Sequence, residues 1–257
     1  MKRITVGLFG FGRTGSVVAH EIIREDDMEL RWVLRKSLKN TGEYASNLLG
    51  CEHDEGRIFS VHDIDISRFF IENPVDVIVD FSASASVNEY CYAAKKGIRI
   101  VSAISHYTSE EFEKIQRLSN ETAILYSPNI TLGINFLIEA SKYLKRIVPN
   151  ADIEIIEEHF RDKKGISGTA IRIAEDLELD TDKNINSIRV GGIVGTHEVI
   201  FGLPNQTIRI KHESLNRAAF GQGAIYAARW IMNKKRSLYS MEDALSSIFS
   251  AKDRMII

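Results

Sequence analysis

The sequence predicts an α/β fold, in which a Rossmann-type doubly wound parallel sheet is joined to an α+β domain with an open mixed sheet. Three observations predict it. Apolar strands alternate with helices over the first 130 residues, a glycine-rich turn follows the first strand, and strands succeed one another without helices after residue 180. Alternation of this kind is typical of a parallel sheet covered on both faces, and runs of strands indicate a separate α+β region.

The elements of the first part follow from apolar runs and helical periodicity. Strands are expected at 4–9, 30–34, 75–81, 98–104 and 122–126. Helices are expected at 16–24, 87–95 and 110–118. The segment 36–65 is polar and irregular, and it is interpreted as a loop with a weak helix.

The pattern changes after Pro128. A long amphipathic helix at 134–148 is followed by an alternating strand at 152–160 and a helix at 170–179. Three strands without helices between them are expected at 187–194, 197–201 and 207–211, and closing helices at 220–232 and 241–249.

Composition excludes several classes of protein. The chain has 257 residues and a formal net charge of -2, so it lacks the basic excess expected of a nucleic-acid binder. No stretch reaches the roughly 18 apolar residues of a membrane span, and no signal peptide is recognised, so a cytoplasmic location is expected. Cys51 with His53 and Asp54 lacks a zinc-ligand spacing, and no metal site is predicted.

A glycine-rich turn carries the first functional signal. It reads Gly10, Phe11, Gly12, Arg13, Thr14 and Gly15. This G-x-G-x-x-G run follows a predicted strand and opens a predicted helix, which is the context of a dinucleotide-binding turn. Without side chains, backbone N–H groups and the helix N-terminus can approach a pyrophosphate. These six residues are therefore expected to bind a nicotinamide dinucleotide.

The end of the second strand indicates which cofactor is used. An acidic residue there binds the ribose 2′-hydroxyl of NAD, whereas cations accommodate the 2′-phosphate of NADP. This chain has Arg35, Lys36 and Ser37 and no acid at that point. NADPH is therefore expected, with NADH not excluded. The alternative is that Arg35 and Lys36 only begin a solvated loop.

A second cluster lies in the middle of the chain, where a strand ends at His159, a basic loop carries Lys163, and Ser167, Gly168 and Thr169 open a helix. Helix-terminal N–H groups and hydroxyls suit a carboxylate, and the histidine and lysine supply a proton donor and a cation. Capping by Ser167 or Thr169 beside a solvated loop is an equally weighted interpretation of the same residues.

The cluster resembles the dihydrodipicolinate reductase (4-hydroxy-tetrahydrodipicolinate reductase) family. That family carries a Glu-x-His-His-x-x-Lys-x-Asp-Ala-Pro-Ser-Gly-Thr-Ala signature, which Glu157, His159, Lys163 and 167–170 match. The other similar blocks, in order, are 10–15, 80–82, 128–135, 189–201, 212 and 217–224. The resemblance thus covers most of the chain.

The resemblance implies an activity and a set of site residues. The implied reaction is NADPH-dependent reduction of a carboxylated cyclic imine-derived substrate, with loss of water, in the diaminopimelate route to lysine. His159 would be the acid/base and Lys163 its cationic partner, with Ser167, Gly168 and Thr169 at a substrate carboxylate. The implied cofactor contacts, beyond the glycine turn, are Phe81, Ser82, Ser102, Ala103, Ile104, Ser127, Asn129 and Ile130.

The resemblance also implies the domain organisation. Residues 1–128, with 216–257 returning to them, would hold the cofactor, and 129–215 would bind substrate and build a homotetramer. His197 and His212 lie inside strand patterns, where a structural role is favoured.

The chain departs from the family pattern at its site. Phe160 stands where the family has its second histidine, the loop before Ser167 is one residue shorter, and the family's Gly-Thr-Thr-Gly loop reads Ser-Ala-Ile-Ser at 102–105. Loss of polar donors alters which substrate a site selects. Two alternatives therefore remain beside the lysine-pathway reductase: a related imine or enone reductase of specialised metabolism, and a non-catalytic NADP-binding sensor.

Overall fold

The computed structural model describes the backbone of residues 3–249 and the side chains as far as Ser246. Its strands are β1 (Ile4–Phe9), β2 (Met28–Arg35), β3 (Arg57–Ser60), β4 (Val77–Asp80), β5 (Arg99–Ser102), β6 (Ala123–Tyr126), β7 (Asp152–His159), β8 (Ile185–Arg189), β9 (Thr196–Leu203), β10 (Gln206–Glu213) and β11 (Ser237–Tyr239). Its α-helices are α1 (Gly15–Ile23), α2 (Ala45–Leu48), α3 (Ile66–Glu72), α4 (Val87–Ala94), α5 (Ser109–Leu118), α6 (Leu132–Ile147), α7 (Gly168–Asp176), α8 (Ala218–Ile231) and α9 (Met241–Phe249).

The chain forms two compact units. The first runs to Ile130 and resumes at Phe220, and the second comprises Thr131–Ala219. The first unit contains a parallel sheet in the order β11-β6-β5-β4-β1-β2-β3. The order 3-2-1-4-5-6 within it is that of a Rossmann fold. The predicted doubly wound sheet is confirmed.

β1 lies at the centre of this sheet, between β2 and β4. Val6 and Leu8 are fully buried and Phe9 is almost so, because both faces of the sheet are covered. This explains why β1 is a continuous apolar run. In such sheets ligands bind beyond the carboxyl ends of the strands where the strand order reverses. Here that point is the turn after Phe9.

The second unit is built on a mixed four-stranded sheet in the order β10-β9-β7-β8, in which only β7 and β8 are parallel. β7 alternates exposed or half-buried residues with buried ones along its whole length. Its buried face carries Ile155, which clusters with Phe201 of β9, Leu137 of α6 and Ile173 of α7. The predicted open mixed sheet is confirmed.

Several parts of the fold differ from the sequence interpretation. The helix α3 at Ile66–Glu72 was not expected, and the strand expected at 187–194 is wrong in its bounds, because β8 covers Ile185–Arg189 and a turn follows it. The segment 36–65 contains α2 and the strand β3, which pairs with β2, and not only a loop with a weak helix. β3 has four residues and starts with an exposed arginine, too short a run for period-2 alternation to register. β11 is three residues long and was missed for the same reason.

Candidate functional site

The glycine turn has the geometry that a pyrophosphate requires. Gly10 has a φ of +91°, a conformation that favours glycine. At Gly15, an added Cβ would lie 2.3 Å from the Gly10 carbonyl oxygen, so only glycine lets α1 start this close to β1. Around Gly12 nothing lies within 4 Å of an added Cβ. The turn therefore presents bare backbone to open space at the start of α1, which fits a dinucleotide pyrophosphate.

Arg35 and Lys36 lie at the carboxyl end of β2, the strand next to β1. The Gly10 N–H donates to the Leu34 carbonyl at 2.8 Å, which joins this strand end to the glycine turn. The Arg35 guanidinium donates to the Lys39 carbonyl at 3.3 Å, and the Lys36 side chain is exposed. The two cations thus follow the part of β2 that is hydrogen-bonded to the turn.

A cavity of about 360 Å³ opens in the first unit beyond the ends of β4, β5 and β6. Six of the residues predicted to contact cofactor line it: Thr14, Phe81, Ser82, Ala103, Ile104 and Ile130. Ser102 and Ser127 are buried, and their hydroxyls bond the Tyr107 hydroxyl and the Asn129 carbonyl. The side chains of these two serines therefore stabilise the loops that line the cavity, through hydrogen bonds made in the protein interior.

Asp80 anchors one of these loops. It ends β4 and is fully buried, and it accepts hydrogen bonds from the backbone N–H and the hydroxyl of Ser82, both at 2.7 Å. The hydroxyl of Ser86 and that of Tyr90 also donate to it, the latter at 2.6 Å. Burial raises the pKa of Asp80 above its usual 3.8, and these hydrogen bonds oppose the rise. No basic group pairs with this carboxyl among the described residues.

In the second unit, Glu157 and His159 project from the same face of β7, two residues apart. The Glu157 carboxylate is fully buried, and its Oε2 bonds Nδ1 of His159. Its Oε1 accepts from the Ser187 hydroxyl and from the Arg189 guanidinium, both at 2.5 Å. The carboxylate thus fixes the histidine ring through Nδ1, and Nε2 is the nitrogen left to act.

These contacts set the charge states. Burial alone would raise the pKa of Glu157, but hydrogen bonds from Arg189, Ser187 and His159 outweigh it and lower that pKa to about 2. Burial lowers the pKa of His159 below 6.5. Glu157 opposes the fall, and the charges of Lys163 and Arg189 add to it. At neutral pH the site therefore holds a carboxylate and a neutral imidazole.

The start of α7 lies beside this pair. Ser167 is buried, and its Oγ accepts from the Ala170 N–H at 3.0 Å and lies 2.9 Å from Nε2 of His197. The hydroxyl of Ser167 is therefore a helix N-cap, the role that the alternative interpretation gave it. Gly168 is exposed and supplies a first-turn N–H group to the surface, as an anion site requires.

Lys163 lies half-buried on the loop between β7 and α7. Its carbonyl accepts from Nε of Arg189 at 3.1 Å, and the Gly165 carbonyl accepts from the same guanidinium at 2.6 Å. Within the described residues the Lys163 ammonium makes no hydrogen bond or ion pair, so it remains available to a ligand.

Sequence reasoning missed three members of this cluster as site residues: Glu157, Arg189 and His197. The period-2 alternation of β7 puts Glu157 on the face of His159, and that signal could have identified it. His197 was assigned a structural role, and its ring packs edge-on at 5.3 Å from that of His159. Burial lowers the pKa of His197 to about 3, so it is neutral.

Fold and site together define the class of protein: a two-unit oxidoreductase that uses a nicotinamide cofactor. The chain belongs to the dihydrodipicolinate reductase family. The model of the N-terminal part of that family matches residues 4–130, and that of the C-terminal part matches residues 131–245.

Known proteins agree with this assignment. The 4-hydroxy-tetrahydrodipicolinate reductase of Rickettsia bellii is 36% identical over 193 residues, covering 68% of this chain and 77% of the relative. That of Caldanaerobacter subterraneus subsp. tengcongensis is 35% identical over 195 residues, covering 67% and 78%.

Solved structures show the same fold. The dipicolinate-bound dihydrodipicolinate reductase from Paenisporosarcina sp. TG-14 superposes with a TM-score of 0.78, at 21% identity, over 94% of this chain and 99% of that one. An amine dehydrogenase from Mycobacterium smegmatis superposes with a TM-score of 0.61, at 10% identity, over 94% and 95%. Within the described residues, no helix has the length and apolar character to cross a membrane.

Proposed function

We propose that this chain reduces 4-hydroxy-tetrahydrodipicolinate to tetrahydrodipicolinate with NADPH, in the diaminopimelate route to lysine. The reaction consumes the substrate, NADPH and one proton, and yields the product, NADP⁺ and water. The observation that carries the proposal is the Glu157-bound His159, with Lys163 on the loop that leads into α7, in a member of this family. When bound, the nicotinamide supplies the hydride, and the residues of the second unit hold the substrate and deliver the proton.

The start of α7 would bind a substrate carboxylate. First-turn N–H groups of Gly168 and Thr169 carry the positive end of the helix dipole, and no acidic residue lies in that turn. Lys163 adds a full positive charge on the preceding loop. Ser167 contributes by capping the helix, because its hydroxyl is already bonded to Ala170 and His197.

His159 and Lys163 would deliver the proton. Without a ligand His159 is neutral, because burial and the neighbouring cations lower its pKa. A dicarboxylate substrate brings two negative charges, which favour the imidazolium form. Binding would therefore charge His159 when a proton is needed, while Glu157 keeps Nδ1 occupied and Nε2 directed to the substrate.

Four further features belong to the proposal. The first unit holds NADPH through its glycine turn and through Arg35 and Lys36. The second unit binds substrate. It also builds a homotetramer through the sheet face that carries Ile156, Ile188 and Ile200, which are half-buried or exposed and lie opposite the face that α6 and α7 cover. The protein works in the cytoplasm, as a biosynthetic reductase does.

The test is NADPH oxidation with 4-hydroxy-tetrahydrodipicolinate generated in situ from pyruvate and aspartate semialdehyde. Wild-type protein should turn over, and His159→Ala and Lys163→Ala should each lose about 10²-fold or more in kcat. Arg68→Ala, which removes an exposed ion pair with Glu72 in the first unit, is the matched control. Tight NADPH binding without oxidation would exclude this substrate.

One observation favours a second candidate, an imine or enone reductase with a less polar substrate. Phe160 follows His159, is 45% exposed, and stands where the family has a second histidine. An aromatic ring cannot donate to a carboxylate, but it packs well on an apolar ring. Phe160→His separates the two functions. If the protein is the pathway reductase, Phe160→His should raise kcat/KM for the dicarboxylate. If it is the imine or enone reductase, Phe160→His should lower kcat/KM for an apolar cyclic imine.

A further inference from the structure

We propose that Arg189 is a positioning residue whose single guanidinium fixes the positions of both His159 and Lys163. The inference rests on the proposed function, because it concerns the same acid–base pair. The Cα of Arg189 is registered with that of His159 across the parallel strands β8 and β7. From there its side chain reaches Glu157 and the carbonyls of Lys163 and Gly165.

The first arm of this contact, the bond from Arg189 to Glu157, acts on His159. Arg189 holds Oε1 of Glu157 and leaves Oε2 for Nδ1 of His159. The guanidinium is 19% exposed and the carboxylate 0%, so the pair is shielded from water. A buried carboxylate that loses its cation must find another proton donor, and His159 is the nearest titratable one. Removing Arg189 would therefore change the protonation of His159.

The second arm, the two bonds from Arg189 to carbonyls of the loop, acts on Lys163. The loop between β7 and α7 contains Gly165 with a φ of +65°, and Arg189 donates to two of its carbonyls, at 3.1 and 2.6 Å. A planar guanidinium can satisfy a carboxylate and two carbonyls at once, whereas an ammonium cannot do so in this geometry. Arg189 thereby ties the backbone of Lys163 to the carboxylate that orients His159.

Two variants separate the arms. Arg189→Gln removes the charge and both arms. Arg189→Lys keeps a positive charge for Glu157 but cannot also bond both carbonyls. Arg172→Gln, which removes the exposed ion pair with Asp176 on α7, is the control in the same unit.

The first readout is the pKa of His159, measured by nitrogen-15 NMR on the full ligand-free chain. The charged and titratable groups around His159 are Glu157 on its own strand, Arg189 on β8, His197 on β9 and Lys163 on the loop. Since Arg189 lowers this pKa, Arg189→Gln should raise it, while Arg189→Lys and Arg172→Gln leave it near the wild-type value. An unchanged pKa in Arg189→Gln would overturn the proposal.

The second readout is turnover. Arg189→Lys should lower kcat/KM by about 10²-fold, and should cost less than about 3-fold when Lys163 is already alanine, because nothing then remains to be positioned. An equal loss in both backgrounds would show a merely structural role and refute the inference. If wild-type protein fails to oxidise NADPH with the proposed substrate, only the proposed function falls, since the NMR readout needs no turnover.

Discussion

The hydroxyl of Tyr107 lies 2.7 Å from that of Ser102 and 3.3 Å from that of Tyr90. Tyr90 in turn donates to the buried carboxyl of Asp80 at 2.6 Å, so the chain Asp80–Tyr90–Tyr107–Ser102 links the ends of β4 and β5. Both loops that follow these strands line the cavity of the first unit. The network therefore supports the proposed nicotinamide site without lining it.

Tyr107→Phe tests this network. The change leaves the buried hydroxyl of Ser102 without its partner, at a cost of roughly 1–3 kcal/mol, and it should lower Tm by several degrees and raise the KM for NADPH. Tyr126→Phe is the control, because the Tyr126 ring packs edge-on against Tyr107 and makes no hydrogen bond among the described residues. Equal effects of the two substitutions would mean that the hydrogen bonds of the Tyr107 hydroxyl do not support the site.

Two glycines of the turn should respond differently to alanine. A Cβ at Gly15 would lie 2.3 Å from the Gly10 carbonyl oxygen, so Gly15→Ala should lower stability and abolish NADPH binding. A Cβ at Gly12 meets nothing within 4 Å, so Gly12→Ala should keep the wild-type Tm. Its methyl group would still occupy the space of a pyrophosphate. We expect NADPH binding, measured by fluorescence quenching, to weaken at least about 10-fold, roughly 1.4 kcal/mol. Unchanged binding would place the pyrophosphate elsewhere.

The sequence predicted the parts of the molecule that depend on local pattern. The glycine turn, the alternation of β7 and the change of architecture after Pro128 can all be predicted from the spacing of residues along the sequence. Arg189 is different. It lies 32 residues from Glu157 in the sequence, and their contact depends on the register of β8 against β7. Tyr107 likewise meets Tyr90 only through tertiary packing. Spacing carries no information about such register or packing.

Arg35 and Lys36 should determine the choice between NADPH and NADH. Replacing both with alanine removes two cations from the end of β2 and should raise the KM for NADPH by at least about 100-fold, because charged hydrogen bonds contribute roughly 1.5–3 kcal/mol each. The KM for NADH should stay within about 2-fold. Arg31→Ala on the same strand removes only an exposed ion pair with Glu29 and is the control. Parallel changes for both cofactors would contradict the assigned role.

His159 should gain a proton when a dicarboxylate binds. Its pKa in the free protein is lowered by burial and by nearby cations. Dipicolinate, the ligand named for the Paenisporosarcina reductase, carries two negative charges that favour the imidazolium. NMR titration with saturating dipicolinate should therefore show a higher pKa for His159 than in the free protein. Gly168→Pro, which removes an N–H at the start of α7, should weaken binding and so raise the dipicolinate concentration at which this shift is half complete. A pKa that stays constant on binding would exclude His159 as the substrate-triggered donor.

Acid should destabilise the protein chiefly through His197 and then Glu157. The folded pKa of His197 is about 3, below its unfolded value of 6.5, so the unfolded chain takes up the proton first and stability is lost as pH falls from 6.5 towards 3. The folded pKa of Glu157 is about 2 against 4.5, so its contribution, roughly 3 kcal/mol, is lost below pH 4.5.

His197 should consequently contribute up to about 1.4 kcal/mol per pH unit to the fall in the free energy of urea unfolding between pH 6 and pH 5, where only His197 of this pair titrates in the unfolded chain. His197→Asn should flatten that slope, since asparagine fits a buried polar site without titrating. His20→Asn, which changes a partly exposed histidine on α1, should retain the wild-type slope. If both variants kept that slope, His197 would not be the group that takes up the proton on unfolding, and another buried group would have to be responsible.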